Sequence, residues 1–251
     1  MQAAATTTGV FVYGVVPSGA DLPPGLAGID DAPVHVIETE AGGVGAVVSE
    51  LGFERPPGRR ADLVAYGRVL DALALRGPVA PVRFGSILED ELSVIEDLLV
   101  PGADRFGELL ADLDGRVQFN LRATYDQQAV LAEVVGADAE VAHLHRLTRD
   151  LATDTAYAER VRLGELVSAA LEEKRVGDAD VVMRVVTPYV VADRLRLGSG
   201  VDELLTVSLL VDAGRQGDLE QALEGLAEAV HERIRLRLVG PVAAYDFVEE
   251  A

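Results

Sequence analysis

The chain contains no cysteine, and that absence excludes disulfides, iron–sulfur clusters, thiolate zinc sites and cysteine nucleophiles. Lysine is almost missing too: Lys174 is the only one, and it sits in "EEKR" on an expected helix rather than behind a glycine-rich turn. A Walker loop therefore cannot be built. "GGVG" at 42–45 lacks the third glycine of a dinucleotide fingerprint and precedes a strand rather than a helix. No G-x-S-x-G motif is present, so Ser199 in "LGSGV" reads as a turn serine. Histidine is scarce, with four in all: His35, His143, His145 and His231. His143 and His145 lie two apart on an expected helix, a spacing at which side chains do not face each other. No metal, nucleotide or other cofactor is expected. No apolar run approaches the roughly 18–20 residues that cross a bilayer. The opening "MQAAATTTG" lacks the basic region and apolar core of a secretory signal. A cytosolic, soluble chain is expected, with no membrane partner.

What the sequence has in excess is acid. Its 251 residues carry 42 Asp and Glu against 22 Lys and Arg, a formal net charge of -20. Such a surface repels phosphate backbones, so nucleic acid is not an expected partner, whereas a basic or strongly apolar one is electrostatically easier. Adjacent acids such as Asp30-Asp31, Glu172-Glu173 and Glu249-Glu250 read as solvated surface that favours solubility. The hydrophobic fraction of 49% and the length are those of an ordinary globular chain with one or two domains.

Periodicity divides the chain. Residues 1–8 are expected to be disordered. "GVFVYGVV" (9–16) is apolar on both strand faces, the pattern of a strand covered on both sides. "VHVIET" (34–39) and "VGAVVSE" (44–50) read as strands joined by a Gly-Gly turn, and "FERPPGRR" reads as a loop. A helix follows with Leu63, Tyr66, Leu70 and Leu73 on one stripe. A strand "VAPVRF" comes next, then helices at 88–99 and 103–113 broken by Pro101-Gly102. "LDGR" (113–116) is the expected boundary. Beyond it Val117, Phe119, Leu121, Ala123 and Tyr125 alternate with polar residues, as in a half-buried antiparallel strand. A helical region from about Asp138 to Lys174, with a restart at 153–155, and a short helix near 178–186 precede "TPYVVADRLR". A strand at 204–211, a helix carrying Leu219, Leu223, Leu226 and Val230, and the closing "LRLVGPVAAYDFVE" complete the chain. Gly240-Pro241 should bulge that last strand or place it at an edge. The expected fold is α+β with two domains, a small α+β domain over 9–114 and a ferredoxin-like β-α-β-β-α-β domain over 115–251.

"PVRFGSILED" (81–90) places Arg83 between Val82 and Phe84. A charge in apolar surroundings is costly unless paired. Arg83 is therefore expected to be a buried strut paired with a carboxylate, a reading favoured over an anion site because Glu89, Asp90 and Glu91 make the following helix start acidic. Phe84 would anchor in the core, and Gly85 would permit a sharp exit from the strand.

"VYGVV" near the start, "PVRFGSI" (81–87), "YAERVRLGELVSAAL" (157–171) and "GPVAAYDFVE" at the end occur in an order and spacing that resemble the gas vesicle protein F/L family. The resemblance implies a two-domain, non-enzymatic accessory or minor structural protein of gas vesicle formation. It implies that such a protein associates with the small hydrophobic shell protein, and with other vesicle accessory proteins, and limits shell-protein aggregation during nucleation. Arg83, Phe84, Gly85, Tyr245, Asp246 and Phe247 are the structural or interface candidates. The competing reading is a small-molecule enzyme or ferredoxin-like ligand sensor with a pocket between the domains, using Arg83 and the Tyr245-Asp246 pair as polar groups.

Overall fold

The computed structural model describes residues 8–39, 43–52, 57–150 and 156–248. The expected disorder of the first residues, the first half of the "FERPPGRR" loop and the restart at 153–155 lie outside them, as does Glu249-Glu250.

Strands β1 (Thr8–Pro17), β2 (Val34–Glu38), β3 (Val44–Gly52), β4 (Ala80–Pro81) and β5 (Ile87–Leu88) form a five-stranded sheet of order β2-β3-β1-β4, with β5 also paired to β1. β1 is central and antiparallel to β3 on one side and to β4 and β5 on the other. Both of its faces are buried, but not by simple alternation. The register with β3 shifts between Val12 and Gly14, and such a bulge exchanges the faces that follow. Val10 and Val12 thus share one core with Val15, while Phe11 and Tyr13 share the other with Val16. Only glycine fits at position 14, where a Cβ would lie 2.9 Å from both the Ala80 oxygen and Leu70 Cδ2.

Helix α1 (Arg60–Ala74) covers the Phe11 face. It starts where the buried Asp62 carboxylate accepts the backbone N–H groups of Gly58 and Arg59, each at 2.8 Å, satisfying donors that a helix start leaves open. Its buried stripe is Tyr66, Val69, Leu70 and Leu73. Leu63, expected on that stripe, is 49% exposed. The Val10 face is covered by Phe106 and Leu110 of α3 (Val100–Leu113) together with Val94 and Leu99.

The expected break at Pro101-Gly102 does not occur. A short α2 (Glu91–Ser93) runs through a π-helical turn, Val94–Leu99, directly into α3. The Val100 N–H reaches the Ile95 carbonyl, and this wider turn receives the proline at the start of α3, where its missing N–H and its ring do least harm. The expected strand at 79–84 shrinks to β4, because the chain turns immediately after Val82.

Strands β6 (Arg116–Tyr125), β7 (Ala192–Leu197), β8 (Glu203–Asp212) and β9 (Ile234–Val242) form a second, four-stranded antiparallel sheet of order β7-β8-β6-β9. In β6 the expected alternation holds from Phe119 onward, with Phe119, Leu121, Ala123 and Tyr125 buried, but at the start of the strand Gln118, expected on the polar face, is buried and Val117 is half-buried. Helices α4 (Gln127–Ala137), α5 (Ala139–Asp150) and α6 (Tyr157–Val186) follow β6, and α7 (Gln216–Val230) joins β8 to β9. α4 was not expected. It begins because the Asp126 carboxylate accepts the N–H groups of Gln128 and Ala129, both at 3.1 Å. α6 runs unbroken to Val186, absorbing the separate helix expected at 178–186. β9 ends at Val242 and stands at a sheet edge, with Gly240-Pro241 in the cis form.

By contacts the chain divides into one unit of Met1–Phe119, Leu210–Gly214 and Gly240–Ala251, and a second of Asn120–Leu209 and Arg215–Val239. The division falls within β6, not in the loop at 113–116, and the tail from Gly240 groups with the first unit. The reason is local: Ala243 is fully buried in the core on the α1 side, and its N–H donates to Asp71 Oδ1 at 3.0 Å.

Candidate functional site

Residues 83–86 make a tight turn between β4 and β5. The Ser86 N–H donates to the Arg83 carbonyl at 3.1 Å, and Gly85 takes a φ of 91°, a left-handed value that suits glycine at the third position of such a turn. The turn decides the fate of Arg83. Val82 points into the core, and Arg83, next along the chain, points to solvent. Arg83 is exposed, and among the described residues its side chain has no partner. The expected burial and carboxylate pairing are thus overturned, because neighbours along an extended chain face opposite ways and the charge never enters the apolar side.

Phe84 turns inward again. It is half-buried and packs edge-on against Tyr66 (centroids 5.3 Å apart) and Phe11 (5.8 Å). Tyr66 is the hub of an aromatic cluster that also takes in Tyr13 and Tyr245, each with its ring centroid 6.1 Å away. The hydroxyls differ in their satisfaction. Tyr13 shares a 2.9 Å bond with Ser49 Oγ and accepts the Ile29 N–H at 2.9 Å, and Tyr66 donates to the Val82 carbonyl. The Tyr245 hydroxyl is buried without a hydrogen-bond partner among the described residues. Burial pushes the Tyr66 phenol up to about 12. Burial, reinforced by the nearby Asp71 carboxylate, pushes Tyr245 higher still. These phenols stay neutral over the physiological range.

Asp246 is exposed and trades two bonds with Gln118: its carboxylate accepts from Nε2, and its N–H donates to Oε1 at 3.1 Å. Phe247 is half-buried, its N–H bonded to the Ala244 carbonyl at 3.2 Å. The structure therefore brings Phe84 and Tyr245 into one cluster through Tyr66, and leaves Arg83 and Asp246 at the surface. A cleft of about 420 Å³ in the same unit is lined by Val16, Pro17, Asp21, Leu73, Arg76 and Pro78 among others, and by none of the six candidates.

Sequence reasoning missed a charged network in the second unit. Buried Asp178 on α6 accepts the Tyr125 hydroxyl at 2.9 Å and Arg233 Nη2 at 2.6 Å. Lys174 lies 3.3 Å from Asp178, and both Lys174 and Arg233 also pair with Glu133 of α4. Burial pushes the Asp178 carboxyl up, but the bonds from Arg233 and Tyr125 and the charges of Arg233 and Lys174 outweigh it and hold the group below its ordinary value. Beside it, Arg175 donates to the carbonyls of Glu203 (2.9 Å) and Gly200 (2.7 Å), tying α6 to the β7–β8 turn. The one signal available in the sequence was the four-residue spacing of the sole lysine and Asp178, a helical neighbour pair. Among the described residues no group of three His, Asp or Glu side chains converges to hold a metal ion.

The model of one protein family, gas vesicle synthesis protein GvpL/GvpF, matches residues 9–249. The chain belongs to the GvpL/GvpF family. Gas vesicle protein F of a Streptomyces species is 32% identical over 240 residues, covering 95% of this chain and 99% of that one. Two crystal structures share the mixed helix-and-sheet fold. The gas vesicle protein GvpF from an Anabaena species superposes with a TM-score of 0.78 at 21% identity, covering 97% of each chain. GvpF from Microcystis aeruginosa gives 0.76 at 22% identity, covering 96% of this chain and 99% of that one. The GvpL/GvpF match spans the Arg83 turn, the aromatic cluster, the Asp178 network and the tail alike. No described helix is long and apolar enough to cross a membrane.

Proposed function

We propose that this GvpL/GvpF member is a non-catalytic accessory or minor structural protein of gas vesicle formation, which binds the small hydrophobic shell protein and limits its aggregation during nucleation. Its place would be the cytoplasm and the vesicle itself. Membership of the family over residues 9–249 carries the reading. A surface suited to an apolar client supports it. Where α5 meets α6, Leu147, Tyr157 and Val161 are 36%, 73% and 45% exposed. That junction is fixed by Arg160, which donates to the Thr148 carbonyl at 3.0 Å, and by the Arg162–Glu140 pair at 3.4 Å. Apolar side chains set in an acidic surface can cover a hydrophobic client while the surrounding charge keeps the complex dispersed. Arg83, exposed at its turn, is free to contact a partner.

In the same reading the second sheet and its helices form a ferredoxin-like module. The chain order β6, helical arm, β7, β8, α7, β9 and the strand order β9-β6-β8-β7 support that description.

Co-expression with the shell protein, followed by size-exclusion chromatography of the soluble fraction, tests the proposal. Co-elution of the two proteins is the expected result. Shell protein found only in the pellet, with this chain eluting alone, would overturn it.

A further inference from the structure

On β6 and β9 the residues out of phase with the buried ones include Arg122, Arg235 and Arg237, all exposed. The bond from the Asp126 N–H to the Arg233 carbonyl (2.8 Å) sets the register of these strands, and counting along it puts Arg122 directly opposite Arg237. At the far end the same register brings Gly240 against the Phe119 ring, where its Cβ would come within 2.6 Å. On the other side of the sheet, the Gly198 N–H to Leu204 carbonyl bond (2.9 Å) sets Arg196 of β7 beside the exposed Thr206 of β8. Gln118 of β6 and Leu204, Ser208 and Leu210 of β8, in phase with these residues, are buried. The exposed part of this face is thus the row through Arg237, Arg122, Thr206 and Arg196, a band of guanidinium groups on a chain of net charge -20. Arg122 has Glu203 at 3.5 Å and Arg235 has Asp126 at 3.4 Å. Arg196 and Arg237 have no ion-pair partner among the described residues. Like charges directly opposite one another across a strand pair are destabilising, and 42 acidic residues were at hand to avoid it. An external anion over the band removes that cost.

The same unit carries a counterpart. On α7, Glu220, Glu224 and Glu228 are exposed at four-residue spacing, opposite the buried Leu219, Leu223 and Leu226. Carboxylates so spaced recur about every 6 Å along a helix, close to the roughly 6.8 Å between alternate residues of a strand. A helix about 10 Å across also fits a face four strands wide at about 4.8 Å per strand.

We propose that the arginine-bearing sheet face docks the glutamate stripe of α7 from a second copy of this chain. The two surfaces are different, so the contact is head-to-tail and can propagate into an open chain of copies rather than closing as a symmetric dimer. It depends on charge-assisted pairs at the surface, and so weakens as salt rises.

Sedimentation velocity of the purified full chain, over a concentration series at about 50 mM and about 500 mM salt, reads this directly. Concentration-dependent association at low salt that falls away at high salt is expected. Arg196→Glu with Arg237→Glu, positions chosen because they lack ion-pair partners, should abolish it, as should Glu220→Arg with Glu224→Arg. Mixing the two reversed variants should restore it, since each then offers the other a complementary face. Thermal midpoints report folding, and Arg196→Gln with Arg237→Gln stands in if the reversed chain does not fold. A wild-type chain that stays monomeric at both salts overturns the proposal, and so leaves the face to some unrelated acidic protein. Loss of association in the sheet variants but not the α7 variants overturns it equally, because the occupant would then be another surface.

Discussion

In β1, Val12 and Tyr13 are neighbours and both are fully buried. In β6, Leu121 is fully buried and its neighbour Arg122 is exposed. The first sheet has α1 on one face and α3 on the other, so its central strand reads apolar throughout and the polar atoms it buries are few and locally satisfied. In the second sheet one face is buried along β6 from Phe119 onward while the other opens around Arg122, although Gln118, Ser208 and Leu210 are buried. The charge its unit does bury, around Asp178, is knitted from α4, α6 and the turn before β9. One unit is held chiefly by apolar area. The other adds an ionic network whose strength depends on pH and salt.

Perturbing each in turn sharpens that contrast. Phe11 is fully buried against Tyr13, Tyr66 and Phe84, and Phe11→Ala should lower the free energy of urea unfolding by about 3–5 kcal/mol. Asp178→Ala leaves the Tyr125 hydroxyl without its acceptor and removes one of the two carboxylates that hold Arg233 and Lys174. Fully buried pairs cost more, but solvent screens these partly exposed partners, so a loss of about 2–3 kcal/mol at pH 7 is expected. The two variants should separate on acidification. Asp178 is held below its ordinary value in the folded chain, so its contribution is complete above about pH 4, the unfolded carboxylate range, and is lost as pH falls through the lower folded value. The Asp178→Ala deficit should then shrink in acid while the Phe11→Ala deficit persists. Parallel deficits at every pH would erase the distinction between the units.

Two smaller effects follow in the first unit. Tyr245→Phe removes a buried hydroxyl that has no partner among the described residues, and a gain of about 1 kcal/mol is expected in the same unfolding assay. Arg83→Ala should change stability by no more than about 0.5 kcal/mol, the ordinary range for an exposed position without partners. A loss several times larger would restore the strut that the exposed geometry denies.

The mixed helix-and-sheet class and the buried face of β6 were legible because period-two alternation and helical stripes follow directly from burial. β1 was legible as a strand covered on both sides for the same reason, yet its bulge at Val12 and Gly14 was not, since both neighbouring faces are apolar and an exchange of faces leaves no mark on the pattern. The π-helical turn hid behind Pro101-Gly102, a pair that ordinarily ends a helix. Arg83 was misjudged because adjacency to Val82 and Phe84 was taken as shared surroundings, while a turn at Gly85 sends the three side chains to different places. Phe84 and Gly85 were legible in kind, one packing inward and the other turning the chain. The Asp178 network escaped because Tyr125, Glu133 and Arg233 are far from it in sequence, and only Lys174 lies at a spacing that pattern alone can pair.

The most direct test of the functional account alters the apolar surface where α5 meets α6 and nothing in either core. Tyr157→Asp with Val161→Asp, both at exposed positions, is to be co-expressed with the shell protein and the soluble fraction resolved by size exclusion, with the thermal midpoint of the purified variant measured alongside. The account predicts an unchanged midpoint and loss of the shell protein from the soluble complex. A variant of unchanged midpoint that holds as much soluble shell protein as the parent would contradict it.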